Sequence, residues 1–317
     1  MQRVSTNRTH NREVRRVLTG LAFVAPWLIG FCVFTAGPVL ASAWFSMTRF
    51  PVVAPPKLIW FRNYIDLVHD ELFWQALANT AFMFLELPIA VCLGIGIAVL
   101  VNEKVKGVTL FRVLFYMPAI VPAVATAMLW LWIFNPEYGL LNGALHILNW
   151  PVLRALPGAA WMADGLDWLQ DPGLSKPSFI IMDLWAVGAS MIIYLAALQG
   201  VPVHLREAAL LDGANAWQRF RHVTLPAISP IVLFMTVTGM LALFQYFTQA
   251  FIMTDPIGGP EYSTLFYALY TYQNAFELFH MGYACAMGWI LFLLSLITTL
   301  VVFKTSARYV YYEEGRS

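Results

Sequence analysis

The stretch VHLREAALLDGANAWQRFRHVTLPAISP, residues 203–230, is the most polar long segment in the second half of the chain. It lies between two apolar runs, each long enough to cross a bilayer. Pro202 just before it suits the opening of a helix, because its fixed φ fits the first turn and its missing N–H is not needed there. Leu205, Ala208, Ala209 and Asp212 then recur on one side at helical spacing, with Glu207 exposed early in that helix. Gly213 suits the left-handed conformation that ends a helix. Asn215 is placed to cap a second short helix through Arg219 and Phe220, and Pro226 opens the next apolar run. The pattern predicts a helix, a sharp glycine turn, a helix, and then membrane.

The rest of the chain supports a membrane setting. Its 317 residues are 60% hydrophobic and 12% charged, where soluble domains carry about 25% charge. Mean hydropathy is +0.66. Such a chain builds its core from lipid-embedded helices, so the expected fold is an all-α membrane protein with six transmembrane helices. The spans fall at about 17–43, 75–101, 110–134, 178–199, 226–252 and 281–303, within one transmembrane domain, 17–304. An arm, 1–16, carries Arg3, Arg8, Arg12, Arg15 and Arg16, and a tail, 305–317, follows Lys304 with Arg308 and three tyrosines. Basic residues leading into the first run, and Ala41-Ser42-Ala43 after it, also fit a signal peptide. The apolar run exceeds the ~7–15 residues of a signal core, so a retained first span is expected.

Between the spans, 46–74 reads as an external loop with short interfacial helices, and 102–109 as a short basic turn. Residues 135–177 form the longest loop, with Asp164, Asp167, Asp171 and a short helix expected from Asn142 to Leu148. Pro118 and Pro122 inside the third run predict a kinked span. Orientation follows from the cations. Five lie in the arm, three around the first internal turn (Lys104, Lys106, Arg112), three in the 200–225 loop (Arg206, Arg219, Arg221) and three at the end (Lys304, Arg308, Arg316). The other five, Arg49, Lys57, Arg62, Arg154 and Lys176, fall on the opposite side. That asymmetry places both termini and the 200–225 loop in the cytoplasm.

Several chemistries are disfavoured. Net charge is +1, which argues neither for nucleic acid nor for acidic substrates, and no nucleic-acid partner is expected. Cys32, Cys92 and Cys285 each sit in an apolar run, and the six histidines are scattered, so no metal site is expected. No lysine follows a glycine, so the phosphate-binding loop of nucleotide hydrolases is absent from the sequence and no catalytic residues are assigned.

The spaced pattern in the decisive stretch resembles the EAA loop of binding-protein-dependent ABC importer permeases. It is carried by Glu207-Ala208-Ala209, Asp212-Gly213-Ala214, Phe220, Val223-Thr224-Leu225-Pro226 and Pro230. Residues 111–142, 251–276 and 308–315 extend the likeness to the carbohydrate-uptake subtype, with one departure at Asp255-Pro256-Ile257, where the family often has a shorter Gly-rich turn. The resemblance implies the type I ABC importer permease architecture in a bacterial inner membrane. It implies a loop that couples to ATPases through Glu207, Ala208, Ala209, Asp212, Gly213, Phe220, Leu225 and Pro226. It also implies a second homologous permease subunit, two cytoplasmic ATPase subunits holding ATP and magnesium, and an extracytoplasmic solute-binding protein, with no cofactor in this chain. An amphipathic connector between two helices is the plainer reading of the same stretch.

A substrate path is expected beside that loop, since its motion acts first on the fourth and fifth spans. Trp185, Gly188 and Ala189 share one helical face midway along the fourth, and Gly239, Leu243 and Tyr246 share one on the fifth. Small residues next to aromatic ones suit the C–H face of a sugar, and Tyr246 adds a hydroxyl; the resemblance points to the same two spans. Helix packing uses small residues equally well in a bilayer. Glu86 is a further pathway candidate, as a charge placed in hydrocarbon. Asp183, about one turn into its span, reads instead as a membrane-edge acid. The alternatives are a non-sugar solute such as a polyamine on the same scaffold, a secondary transporter, or an intramembrane enzyme. The last two lack the repeats or clustered ionisable residues they need.

Overall fold

The computed structural model describes residues 5–103, 106–147, 166–307 and 310. The expected roles of Arg3, Lys104, Asp164 and the 308–315 motif therefore lie wholly or almost wholly outside the described residues. The chain forms two compact units, one of residues 1–67 with 274–289, the other of 68–273 with 290–317.

In the first unit, helix α1 (Ser5–Phe31) runs through a π-helical turn, Cys32–Ala36, into α2 (Gly37–Ser46). Its Thr19–Ser46 portion is apolar enough to cross a membrane. The helix begins at Ser5, so part of the expected arm continues the first span as helix. Two short antiparallel strands follow, β1 (Thr48–Arg49) and β2 (Lys57–Leu58), pairing Thr48 with Leu58. Each strand is only two residues long, too short for an alternating pattern to announce it. After them comes α3 (Arg62–Val68). Its Asn63 amide donates to the carbonyl oxygens of Ser46 (2.7 Å) and Thr48 (2.9 Å), closing the turn after the first span. Gly282 is needed beside this turn, because a Cβ there would lie 2.0 Å from the Thr48 oxygen.

The second unit holds the decisive stretch. The second span, Glu71–Asn102, is built from α4 (Glu71–Met83) and α5 (Glu86–Asn102), meeting at Phe84–Leu85. Asp70 caps α4 by accepting from the Leu72 N–H at 3.0 Å. The third comprises α6 (Val108–Ile120) and α7 (Ala123–Ile133), bent by 98° at Val121-Pro122. Pro122 supplies no N–H and forces Val121 into extended backbone, which breaks the helix there. Helix α8 (Leu140–Ile147) starts two residues before its expected position. The fourth span comprises α9 (Ser175–Trp185) and α10 (Gly188–Gly200), bent by 49°.

Beyond it lie α11 (Val203–Leu211), α12 (Ala216–Arg219), a π-helical turn at Phe220–Thr224, and α13 (Leu225–Phe244). The fifth span was expected to run to Ile252. The helix instead ends at Phe244, and a break at Gln245–Phe247 precedes α14 (Thr248–Met253). Helix α15 (Tyr267–Tyr272) and the last span, α16 (Met281–Ser306), complete the set.

The core of this unit lies where α5 crosses α10. Ile95, Ala98, Met191, Tyr194 and Leu198 are buried together there. A Cβ at Gly94 would approach the Ser190 hydroxyl and the Tyr194 ring at 2.9 Å, so glycine is what lets the two helices cross closely. A second anchor is polar. Asn79, 2% exposed on α4, donates to the carbonyl oxygens of Tyr262 (2.7 Å) and Leu265 (3.0 Å) and accepts from Lys176 Nζ at 3.2 Å. These bonds hold the 255–266 loop, whose Glu261 and Tyr262 are strained at positive φ.

Candidate functional site

The first candidate is the loop between the fourth and fifth spans. Helix α11 ends at Asp212, and Gly213 takes φ +79°, the left-handed geometry that reverses the chain. Asn215 and Gln218 then form a reciprocal capping box. The Asn215 side chain accepts from the Gln218 N–H at 2.9 Å, and the Gln218 side chain accepts from the Asn215 N–H at 2.8 Å. Trp217 stacks on Phe220 with ring centroids 5.7 Å apart. Glu207, Ala208, Asp212 and Gly213 are exposed, while Ala209, Phe220, Leu225 and Pro226 are partly covered. The structure therefore divides the expected coupling residues between a bare tip and a hinge at the span's start.

The tip is apolar for a polar loop. Leu211 is 89% exposed and Trp217 66%, with Leu210 bare beside them. A cleft of about 410 Å³ opens behind it, lined by Val99 and Glu103 from α5, Leu198 from α10, and Arg206, Glu207 and Arg219 from the loop. Exposed leucines and a tryptophan rimmed by charges mark a surface made for another protein.

The second candidate lies among α5, α9 and the end of α13. Glu86 opens α5 directly after the Phe84–Leu85 break. A Cβ on Gly239 would stand 2.8 Å from the Leu87 side chain, so α13 packs tightly on the residue next to Glu86. Phe84 and Phe244 meet edge to face at 5.0 Å. Tyr246, 7% exposed, is held edge-on by Phe179 (5.8 Å) and Phe266 (5.2 Å). Asp183 on α9 comes within electrostatic reach of both Glu86 and the Tyr246 phenol. Glu86 Oε2, Asp183 Oδ2 and the Tyr246 hydroxyl are buried, and apart from the approach of the phenol to Asp183 none has a hydrogen-bond partner among the described residues.

The other expected pathway residues divide. Leu243 is buried. Trp185 is 37% exposed and meets Trp130 edge to face at 6.0 Å, and Ala189 is exposed beside it. Gly188 is fixed by packing, since a Cβ there would lie 1.8 Å from the Phe115 carbonyl oxygen on α6. Asp183, read as a membrane-edge acid, is instead drawn to Glu86 and Tyr246. At about 100° per residue its phase puts it on roughly the opposite face of the helix from Trp185 and Gly188, and phase does not say which neighbour that face meets. Among the described residues no group of three or more histidines, cysteines or acids is placed to hold a metal ion.

The chain is similar to known proteins. The family described as binding-protein-dependent transport system inner membrane component matches residues 90–309. The chain is 37% identical over 307 residues to the probable ABC transporter permease protein YesP of Bacillus subtilis (strain 168), covering 96% of this chain and 95% of that one. It is 30% identical to the lactose transport system permease protein LacF of Rhizobium radiobacter, over 90% of this chain and 93% of that one. A chain in the crystal structure of a bacterial ABC transporter involved in import of the acidic polysaccharide alginate superposes with a TM-score of 0.78. It shares 24% identity, over 95% of this chain and 99% of that one. The likeness to that chain establishes the fold.

Proposed function

The chain belongs to the binding-protein-dependent transport system inner membrane components, and from that membership we infer that it forms the translocation path for a carbohydrate in an ATP-driven bacterial importer. It is a multi-pass membrane permease. The hydrolysis of ATP falls to separate cytoplasmic subunits, and solute reaches the permease from an extracytoplasmic binding protein. A second permease completes the pore.

One observation carries the reading: the helix–Gly213–helix knob with Leu210, Leu211 and Trp217 bare at its tip. A rigid, apolar, capped knob transmits force through contact, whereas a merely connecting loop has no reason to expose such residues. The carbohydrate assignment is supported by the names of relatives, among them lactose and trehalose/maltose transport permeases. It is supported further by the aromatic wall of Phe179, Phe266 and Tyr246 beside polar groups short of partners. The orientation that fits puts the knob, the N-terminus and the C-terminus in the cytoplasm.

The test is purification of the tagged chain from its native membranes in mild detergent. An ATPase and a second permease should accompany it, and hydrolysis should rise when the binding protein is added with its sugar. A preparation in which the chain runs alone and no ATP is hydrolysed would remove the importer reading.

A further inference from the structure

Resting on the carbohydrate reading, we propose that Glu86, Asp183 and Tyr246 form a subsite that takes hydroxyl donors of an uncharged sugar and turns away glycosides bearing a carboxylate or sulfonate.

Three helices converge to build it: α5 supplies Glu86 at its first turn, α9 supplies Asp183, and the break after α13 supplies Tyr246. The break matters. Had α13 continued regularly through Gln245–Phe247, Tyr246 would follow the helical course and not the turn that sets its ring against Phe179 and Phe266. The phenol is 7% exposed and its hydroxyl faces the Asp183 carboxyl, yet neither that hydroxyl nor Glu86 Oε2 nor Asp183 Oδ2 makes a hydrogen bond of good geometry among the described residues. Buried polar groups are rarely left so. Three of them gathered in one place call for a partner that arrives from outside the chain.

The chemistry of the three groups selects that partner. Carboxylate oxygens accept, and a phenol both accepts and donates, so the complement is rich in O–H donors. A sugar edge presents neighbouring hydroxyls at the spacing a carboxylate spans, and its C–H face suits the flanking rings. Among the described residues no cation pairs with either acid: Lys176, on the same helix as Asp183, is turned to Asn79 and lies over the Phe82 ring, 5.5 Å from its centroid. A negative charge brought to about 6 Å of a single negative charge held by this pair, at an effective dielectric of about 20, is opposed by on the order of a hundredfold in affinity. A neutral sugar meets no such opposition.

The experiment uses the complete transporter in lipid nanodiscs, without the binding protein, so that only the permease path is sampled. Binding of neutral disaccharides (lactose, trehalose, cellobiose), of their uronate counterparts and of spermidine is followed by saturation-transfer NMR. In the parental transporter at least one neutral disaccharide should bind at least tenfold more tightly than its uronate. In Glu86→Gln and in Asp183→Asn that gap should shrink to about threefold or less. Tyr246→Phe should weaken the neutral sugar and keep the gap. Equal binding of neutral and uronate forms by the parental protein, or an unchanged gap in both amide variants, overturns the charge-selecting subsite while leaving the carbohydrate reading standing. Failure of every neutral sugar overturns the carbohydrate reading and the subsite with it. If spermidine alone binds and is lost in Glu86→Gln, the acids belong to a polyamine path.

Discussion

Gly188 and Gly239 have the same residue type, lie in adjacent spans and were both expected on the pathway, yet their surroundings set them apart. A Cβ at Gly188 would strike the Phe115 backbone oxygen at 1.8 Å, and a backbone oxygen on a packed helix cannot step aside. Gly188→Ala should therefore cost about 1–3 kcal/mol by forced overpacking, visible as a lower unfolding temperature in detergent. At Gly239 the obstacle is the end of the Leu87 side chain, which can rotate. Gly239→Ala should be close to neutral in the same measurement, and Gly239→Leu should cut uptake. Tyr246→Phe keeps both edge-to-face ring contacts and deletes a buried hydroxyl whose approach to Asp183 falls short of a well-formed hydrogen bond, a change that is close to neutral for the fold. Unfolding temperature held, with uptake reduced several-fold, is the expected pair of results; unchanged uptake would take the hydroxyl out of the path. Sequence spacing placed these residues on shared faces but could not choose between packing and pathway. The choice depends on which atom stands opposite, and for Gly188 that atom is a main-chain oxygen on another span. The neighbours of Asp183 escaped notice for the same reason: depth along its own helix was legible, while its meeting with Glu86 and Tyr246 is tertiary.

At the scale of elements, the knob between the fourth and fifth spans was the most legible part of the chain. Its helix ends, glycine turn and cap are local chemistry, written in residues a few positions apart. Asn215→Ala should remove half of the capping box and cost about 1 kcal/mol, loosening α12 as seen by faster amide exchange there. Gly213→Pro denies the left-handed turn, and Glu207→Lys reverses a charge at the exposed face of α11. Both variants should insert into the membrane yet lose copurifying ATPase and uptake; transport at the parental rate would end the coupling role. Less was legible where hydropathy and backbone part company. Apolar side chains continue to Ile252, but the fifth helix stops at Phe244, because hydropathy reports immersion and is silent on where the main-chain ladder breaks. Pro118 and Pro122 announced a kink in the third span; that the bend would reach 98° depended on Val121 turning extended.

For the whole molecule, the number and order of apolar segments were readable because a bilayer demands long unbroken runs. Among the described residues four helices are long and apolar enough to cross, and the total is six when each of the two bent pairs counts as one span. The strand pair beside the first span escaped notice because its strands are two residues each. Orientation rests on the distribution of lysine and arginine and can be tested directly. In a background where Cys32, Cys92 and Cys285 are replaced by alanine, Ile257→Cys should react with an impermeant thiol reagent added outside intact cells. Ile257 is 63% exposed in the loop held by Asn79, so the site is open to reagent. Arg221→Cys, exposed on the knob, should react only after the membrane is opened. Labelling of Arg221→Cys from outside would invert the topology and remove the knob from any ATPase.

The π-helical turn at Phe220–Thr224 carries a consequence for phase. It joins α12 to α13 in one 29-residue rod, Ala216–Phe244, and a π turn accommodates one residue more than an α-helix would at the same axial rise. The turn absorbs that residue within one sweep of the axis, so the bearing of Trp217 toward Gly239 and Leu243 is that of an α-helix one residue shorter. Deleting Arg221 would let the turn relax into ordinary helix, with little change in the length of the rod or in the angle between its ends. Inserting a residue after Ile231, where the rod is already α-helical, would instead rotate the knob by about 100° about the axis, the angle one residue subtends at 3.6 per turn. The deletion should keep uptake, while the insertion should leave the chain membrane-inserted with its two ends out of step, so that the knob docks and the path stays shut, or the path is intact and the knob finds no socket.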